Sequence, residues 1–366
     1  MSPNPGSQDG SAPNLYGLDA QGLSDYIARF DAPAYHGGQI YRWLYARRSF
    51  SPEDWTDLPC RLRTAIAESA VVDPGRIVSR SEATDRTVKF LIELRDGRRV
   101  EAVYMEQSGR ITLCVSSQVG CALGCDFCLT ARMGLERHLS AGEIAGQVAR
   151  IQHGRQMGDR PFRIVFMGMG EPLHNYDGVL GAFRLLTSPD GFGLSRRRIT
   201  LSTVGLAPAI ERLADEPVRP NLAVSLNATT DELRSRLMPV NRRYPIARLL
   251  AACRRYAERS GDRFTFEYVL LAGINDAEAD ERRLRRLVHG LPVKLNLIPF
   301  NAVEGWLDYR PPSKSRILAF RDRLLRAGVP TSIRWSRGAE TRAACGQLAL
   351  LPLKPATVAA ERDSGR

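Results

Sequence analysis

Four of the seven cysteines fall in one short stretch, Cys114-Val-Ser-Ser-Gln-Val-Gly-Cys121-Ala-Leu-Gly-Cys125-Asp-Phe-Cys128. Cys121, Cys125 and Cys128 have the spacing C-x3-C-x2-C, with an aromatic, Phe127, before the last. A tight loop carrying Gly120 and Gly124 can turn three thiolates inward onto one inorganic cluster. A [4Fe–4S] cubane has four irons, so three cysteines leave one iron without a protein ligand. Such an open position can bind a substrate directly. The competing readings are a structural zinc and plain buried thiols. Zinc wants a fourth Cys or His at short spacing, yet His138 lies well beyond Cys128. Buried thiols alone do not call for three cysteines so close together, and the cluster reading is preferred.

The spacing and its aromatic resemble those of the radical S-adenosylmethionine (SAM) superfamily. The resemblance implies that the amino acid end of SAM chelates the open iron and that one electron cleaves SAM to a 5′-deoxyadenosyl radical. Other polar residues gather at strand ends. The apolar run Ile164–Met167 leads into Gly168-Met-Gly170-Glu171-Pro172, where the glycines let backbone approach a ligand and Glu171 can accept hydrogen bonds from an ammonium. A dinucleotide fingerprint is excluded, because Pro172 breaks the helix that should follow. Ser202, Ser225, Asn227 and Asn301 are each ordinary turn residues. At successive strand ends beside a cluster loop they form a candidate site for the carboxylate, ribose and adenine of SAM. Cys345 and Cys114 are read either as small buried thiols or as reactive ones, and Cys253 as structural. Glu101, taken alone, reads as a solvated carboxylate on a strand.

The elements that must position these residues are an α/β array. Apolar strand candidates from Thr112–Val115 through Ile164–Met167, Ile199–Ser202, Leu222–Leu226, Phe264–Leu271 and Lys294–Ile298 to Thr331–Trp335 alternate with helical segments. Six or seven such units imply a parallel sheet with right-handed crossovers, curled into a partial or complete barrel, with ligands at the carboxyl ends of the strands. Ser140-Ala-Gly-Glu143 predicts a capping box, Thr229-Thr-Asp-Glu232 a second, and Pro208 the first turn of a further helix. Ahead of this core, alternation in Val88–Leu94 and Val100–Tyr104 around Asp96-Gly97 predicts a β-hairpin. Apolar residues at helical spacing, such as Leu23, Ile27 and Phe30, predict a small helical bundle. The expected division is a tail (1–14), a helical accessory domain (15–78), a β-hairpin linker (79–106), a core (107–345) and a C-terminal tail (346–366).

At 366 residues, with 43% hydrophobic and 25% charged content, the chain reads as a globular protein without a transmembrane run. Its first residues lack an apolar signal core, and its cysteines suit a reducing compartment, so the expected location is the cytoplasm. A net charge of +12 favours a polyanionic partner.

Taken together, Cys114–Cys121, Met167–Pro172, Leu201-Ser-Thr203, Pro239-Val-Asn-Arg-Arg-Tyr-Pro245 and Ala344-Cys-Gly-Gln-Leu348 resemble the RlmN family of radical SAM RNA methyltransferases, with its relative Cfr, over nearly the whole chain. The resemblance implies a radical SAM partial (β/α) barrel behind a helical N-terminal domain, and methylation of C2 of adenosine 2503 in 23S rRNA and adenosine 37 in tRNAs. It implies a cluster held by Cys121, Cys125 and Cys128. SAM contacts would come from Gly170, Glu171, Ser202, Ser225, Leu226, Asn227 and Asn301. Cys345 would take the first methyl group, carry it as a methylene radical to the adenine, and be released when Cys114 attacks its sulfur, with Glu101 as proton acceptor. It also implies a flavodoxin- or ferredoxin-type electron donor, and a monomer suffices. The rival readings are C8 methylation, as in Cfr, and an iron–sulfur RNA-binding protein without catalysis. The chain departs from the family in Asn227, where His is common, in Arg137-His-Leu139, and in 302–312, which carries Trp306 and Tyr309.

Overall fold

The computed structural model describes residues 12–303, 305 and 308–350. Its strands are β1 (Arg76–Glu82), β2 (Val88–Glu93), β3 (Arg99–Gln107), β4 (Arg110–Cys114), β5 (Gln118–Cys121), β6 (Gly134–His138), β7 (Phe162–Phe166), β8 (Ile199–Thr203), β9 (Asn221–Ser225), β10 (Phe264–Leu270), β11 (Val293–Pro299) and β12 (Thr331–Ile333). Ten form one sheet in the order β1-β2-β3-β4-β7-β8-β9-β10-β11-β12. The strands from β4 through β7 to β12 run parallel. The first four pair antiparallel. β4 pairs on its far side with β3 and not with β12, so the barrel is partial, and the chain after β12 bridges the remaining side through Arg337 to Glu106 O, Gly338 N to Asp85 and Ala349 N to Glu101.

The seven expected parallel strands are all present. The hairpin is present too, as β2 and β3, but it belongs to a longer antiparallel run. β1 escapes a reading by alternation because its Arg-Ile-Val-Ser-Arg-Ser-Glu sequence has only two apolar residues. β5 and β6 form a separate antiparallel pair that brackets the cysteine loop. Gly120 sits in this pair at φ 76°, with the Gly134 carbonyl where a side chain would go, so both the dihedral and the space require glycine.

Helices cover the outside of the barrel. The predicted capping box at Ser140 is complete: Glu143 N donates to the Ser140 hydroxyl (3.2 Å) and Ser140 N to the Glu143 carboxylate (2.8 Å). The second predicted box does not form, because the residue three on from the actual cap is Leu233. Thr230, not Thr229, caps helix Asp231–Leu237, its hydroxyl accepting from Leu233 N. The Thr229 hydroxyl is turned to Asp280 instead (2.7 Å). Pro208 does sit in the first turn of Ala207–Asp215.

Helices Ala20–Ile27, Tyr35–Tyr41 and Cys60–Ser69 enclose a second core around Leu23, Ile27, Ile40, Trp55 and Ile66. It also takes in Ala145, Ala149 and Leu185 from barrel helices, so apolar packing fixes the helical unit to the barrel. The middle helix passes into a π turn over Arg42–Ala46. Of the two expected tails, 1–11 and 351–366 lie outside the described residues. Asn14 bridges to Val71, and 346–350 pack against the site.

Register decides what the barrel encloses. In β7, Phe162, Ile164 and Phe166 are buried in the outer core. Arg163 and Val165, at the alternate positions, face the lumen, as the pleat requires. The same alternation turns Thr112, Thr200 and Thr265 inward, and Val165 lies beside Thr200 and Thr265 beside Lys294 in the ladders. This lumen is polar and open, unlike the apolar layers that fill a closed eight-stranded barrel.

Candidate active site

The cysteine loop follows β5 and is covered by Leu237, Met238 and Phe300, which pack around Cys125. Cys121 and Cys125 are buried and Cys128 is partly so. Burial pushes the Cys121 thiol up to about 12, with added repulsion from Glu171 and Cys128. Cys125 is raised further, by burial and then by Cys128 and Cys121. Thiolates here are costly unless a cation meets them, and three soft sulfur donors in one dry loop suit an iron–sulfur cluster. Among the described residues no three His, Cys, Asp or Glu side chains converge closely enough for one ion. A cubane is wider than an ion, so its ligands need not converge that tightly, and the donor set fits it.

Beside the loop lies a small cavity of about 150 Å³. Cys125, Cys128, Gly170, Glu171, Ser202, Ser225, Asn227, Asn301 and Cys345 all line it. Of the expected SAM-contact residues only Leu226 does not. Its side chain is fully buried in the outer core, so only its backbone is available, and that is already bonded to Glu267 and Arg234. Gly170 has φ 98°, and a side chain there would strike Gln118 at 2.6–2.8 Å. Glu171 is buried and accepts from Leu173 N (3.0 Å) and Val204 N (2.8 Å). Burial raises its carboxyl to about 7, against the lowering effect of those bonds.

Asn227 has a conformational role. It adopts φ 55°, which Asn tolerates better than most residues. Its side-chain oxygen accepts from Val269 N (2.8 Å) and its amide donates to the Met238 sulfur (3.3 Å). The first bond ties the end of β9 to β10 and the second reaches the end of helix Asp231–Leu237, and neither needs a titratable group.

A larger cleft of about 870 Å³ fills the lumen and extends to the segment after β12. Cys114 lines it, and so does Cys345. Cys345 therefore stands in the wall shared by both cavities. Burial raises the Cys114 thiol to about 12, with a further push from Cys345 and an opposing pull from Arg334. The Arg334 guanidinium is itself held more firmly charged, chiefly by Cys345, then by Glu267 and Cys114. Asn301 donates to the Cys345 carbonyl (3.1 Å), and Gln347 braces the same loop on Ala302 (3.1 Å). Leu129 N donates to Gly346 O (2.9 Å), joining this loop to the cysteine loop.

Glu101 is the clearest correction to the residue-level reading. It is buried, not solvated, and its carboxylate meets Lys89 Nζ at 2.7 Å. Lys89 lies two residues from the position opposite Glu101 on the paired strand, hence on the same face. The other carboxylate oxygen accepts from Ala349 N (3.1 Å).

Sequence reading missed both Lys89 and Arg234. The Arg234 side chain is fully buried and donates to Leu226 O, Ser225 O, Val204 O and Asn241 Oδ1, at 2.7–3.1 Å. It clamps the ends of β8 and β9, where the pocket residues sit. Its only signal was the Asn241 motif, which marks a partner without revealing the guanidinium that needs it. Trp306 lies outside the described residues. The Tyr309 hydroxyl donates to Asp126 in the cysteine loop.

Comparison with known proteins agrees with this geometry. The chain matches the Radical SAM superfamily model over residues 115–283 and the ribosomal RNA large subunit methyltransferase N-terminal domain over residues 13–72. It is 47% identical to a protein of Anaeromyxobacter sp. (strain Fw109-5) named dual-specificity RNA methyltransferase RlmN, over 92% of this chain and 90% of the other. A probable RlmN of Moorella thermoacetica is 48% identical, over 92% and 96%. The crystal structure of a radical SAM methyltransferase from Sphaerobacter thermophilus superposes with a TM-score of 0.88 at 44% identity, covering 92% and 99%. A three-thiol loop, the strand-end pocket beside it and relatives this similar along nearly their whole length lead to one assignment: the chain belongs to the RlmN family of radical SAM RNA methyltransferases.

Proposed function

We propose that the protein methylates C2 of an adenine in RNA, adenosine 2503 of 23S rRNA and adenosine 37 of tRNAs, with Cys345 carrying the methyl group. The observation that supports this most directly is the place of Cys345 between the small pocket and the large cleft. Its sulfur can face SAM on one side and RNA on the other.

Cys121, Cys125 and Cys128 would hold the cluster. When bound, it supplies an electron and an open site for SAM, which gives the radical route that an unactivated C2 carbon requires. Gly170, Glu171, Ser202, Ser225, Asn227 and Asn301 would seat SAM, with the backbone of residue 226 beneath them. Cys114 would attack the Cys345 sulfur to release the product, forming an S–S bond that a cellular thiol reopens. Arg334 stands where it favours the Cys114 thiol as thiolate. Glu101, braced by Lys89, would take the proton lost from the adenine. A flavodoxin- or ferredoxin-type donor, a monomeric state and the cytoplasm complete the proposal, as does the division into accessory domain, hairpin linker and core. No helix among the described residues is long and apolar enough to cross a membrane.

The test is an anaerobic reaction of cluster-loaded protein, SAM, a reductant and a protein-free 23S rRNA fragment, read by mass spectrometry of nucleosides. 2-Methyladenosine is expected, and none with Cys345→Ala. 8-Methyladenosine would refute the C2 assignment in favour of C8. No methylated product from protein with an intact cluster would refute the enzyme reading.

A further inference from the structure

The C-terminal ends of the barrel strands account for the chemistry; the N-terminal ends carry charge that the chemistry does not use. Arg110 opens β4, Arg163 lies one residue into β7, and Arg197 and Arg198 precede β8. Arg263 precedes β10, and Lys294 is the second residue of β11. All six line the large cleft and all are exposed. Among the described residues none of them forms an ion pair. Elsewhere arginines are routinely paired, as in Arg137 with Asp96 and Glu143, Arg248 with Glu211, and Arg323 with Glu281. Among the described residues no Asp or Glu lines this cleft; Glu267 lines the smaller pocket that adjoins it. Six like charges around one opening repel one another and destabilise the fold, so their arrangement points to a ligand that answers them.

Three further observations identify that ligand. The cleft is continuous from these basic residues to Cys114 and Cys345. Trp335, 46% exposed, stands on its rim next to Arg334 and close to Arg337. A second basic cleft, of about 690 Å³, contains Arg282, Arg285, Arg286 and His289 and reaches Val293, the neighbour of Lys294. Charge extended over two adjoining clefts suits a polymer rather than one phosphate ion. An exposed indole among guanidinium groups suits unpaired bases, which stack on aromatic faces.

We propose that the N-terminal mouth of the barrel seats the phosphate backbone of the RNA, and that Trp335 stacks an unpaired base beside it. This rests on the RNA-methyltransferase reading and adds where and how the strand is held. The strand lies along the basic mouth, which opens directly on the lumen. Its target base reaches the two thiols through the lumen.

The experiment measures binding of a fluorescein-labelled, protein-free 23S rRNA fragment to the cluster-loaded full chain across a salt series. The variants are the triple Arg163→Gln, Arg198→Gln, Arg263→Gln; the single Trp335→Ala; and a triple on the outer face of helix Ile246–Ser260, Arg254→Gln, Arg255→Gln, Arg259→Gln, which removes the same charge. Each single-strand phosphate contact contributes roughly 0.7 to the slope of log K against log salt. The mouth triple is therefore expected to flatten the slope by about 2 and to weaken binding at least tenfold, with thermal unfolding showing that it remains folded. Trp335→Ala is expected to weaken binding about tenfold with no change of slope, since stacking releases no counterions. The outer triple is expected to bind as the parent does. If the mouth triple keeps the parent slope, or the outer triple matches its loss, the inference is overturned. Binding is read without turnover, so the two readings can fail separately. Wild type that binds as described yet makes no methyladenosine sinks the enzyme reading alone. Wild type that methylates, with a mouth triple of unaltered KM and slope, sinks this one alone.

Discussion

At the C-terminal ends of the barrel strands, Glu171 is held by two backbone amides, Asn301 grips the Cys345 carbonyl and Arg234 spends its donors on three carbonyls and an asparagine. At the N-terminal ends, Arg163, Arg198 and Arg263 have no ion pair among the described residues. One mouth is preorganised, with its polar groups fixed by internal partners. The other is left unsatisfied within the protein. The lesson is that the reacting groups need fixed geometry, whereas a polyanion is attracted over a distance and needs only charge.

Substitutions at the two mouths should fail in different ways. The largest effect belongs to Cys345→Ala, which should eliminate methylated nucleoside; detectable turnover by mass spectrometry would remove the sulfur relay from the first mouth. Next is Arg234→Met, which removes four buried hydrogen bonds and should cost roughly 3 kcal/mol in denaturant unfolding, with weaker SAM binding. A loss under 1 kcal/mol would show that the clamp is dispensable.

Third is a pH effect. Burial raises the thiols of Cys114, Cys121 and Cys253 to about 12, whereas an unfolded thiol ionises near pH 8.5. Between those values the folded state keeps protons that the unfolded state releases, so stability falls as pH rises above about 8.5, by up to about 1.4 kcal/mol per pH unit for each thiol. On the proposed ligand set, cluster loading would hold Cys121, Cys125 and Cys128 as thiolates and should flatten the decline. Identical pH profiles of loaded and unloaded protein would refute the liganded state of those thiols.

The smallest effect on stability is expected at the second mouth. Arg163→Gln should change unfolding free energy by no more than about 0.5 kcal/mol while raising KM for RNA several-fold. A clear destabilisation would mean that this arginine is structural and would erase the contrast.

The parallel strands were legible because the core leaves β-branched and aromatic residues at alternate positions between helices. The cluster loop was legible because thiol spacing is itself the chemistry. Glu101 was not, because its environment is made by Lys89 on another strand and by Ala349, far along the chain. Thr229 misled because it alone has a Glu three residues on, whereas the cap is Thr230, with Leu233 at that place, and Thr229 is held by the tertiary partner Asp280. The basic mouth was present in plain sight. Arg110-Ile-Thr-Leu-Cys, Arg163-Ile-Val-Phe-Met, Arg198-Ile-Thr-Leu-Ser, Arg263-Phe-Thr-Phe-Glu and Lys294-Leu-Asn-Leu-Ile all open on a cation and end on a lumen residue. Net charge concealed this, since it counts arginines without saying which share a face.

The open sheet has a further consequence. A sheet that never closes leaves two unpaired edges, each a template for another chain to add a strand and begin aggregation. Here one edge is β1, which bears Arg76, Arg80 and Glu82, and the other is β12, only three residues long. Charge guards the first and brevity the second, so the unclosed sheet offers little purchase to a neighbouring strand.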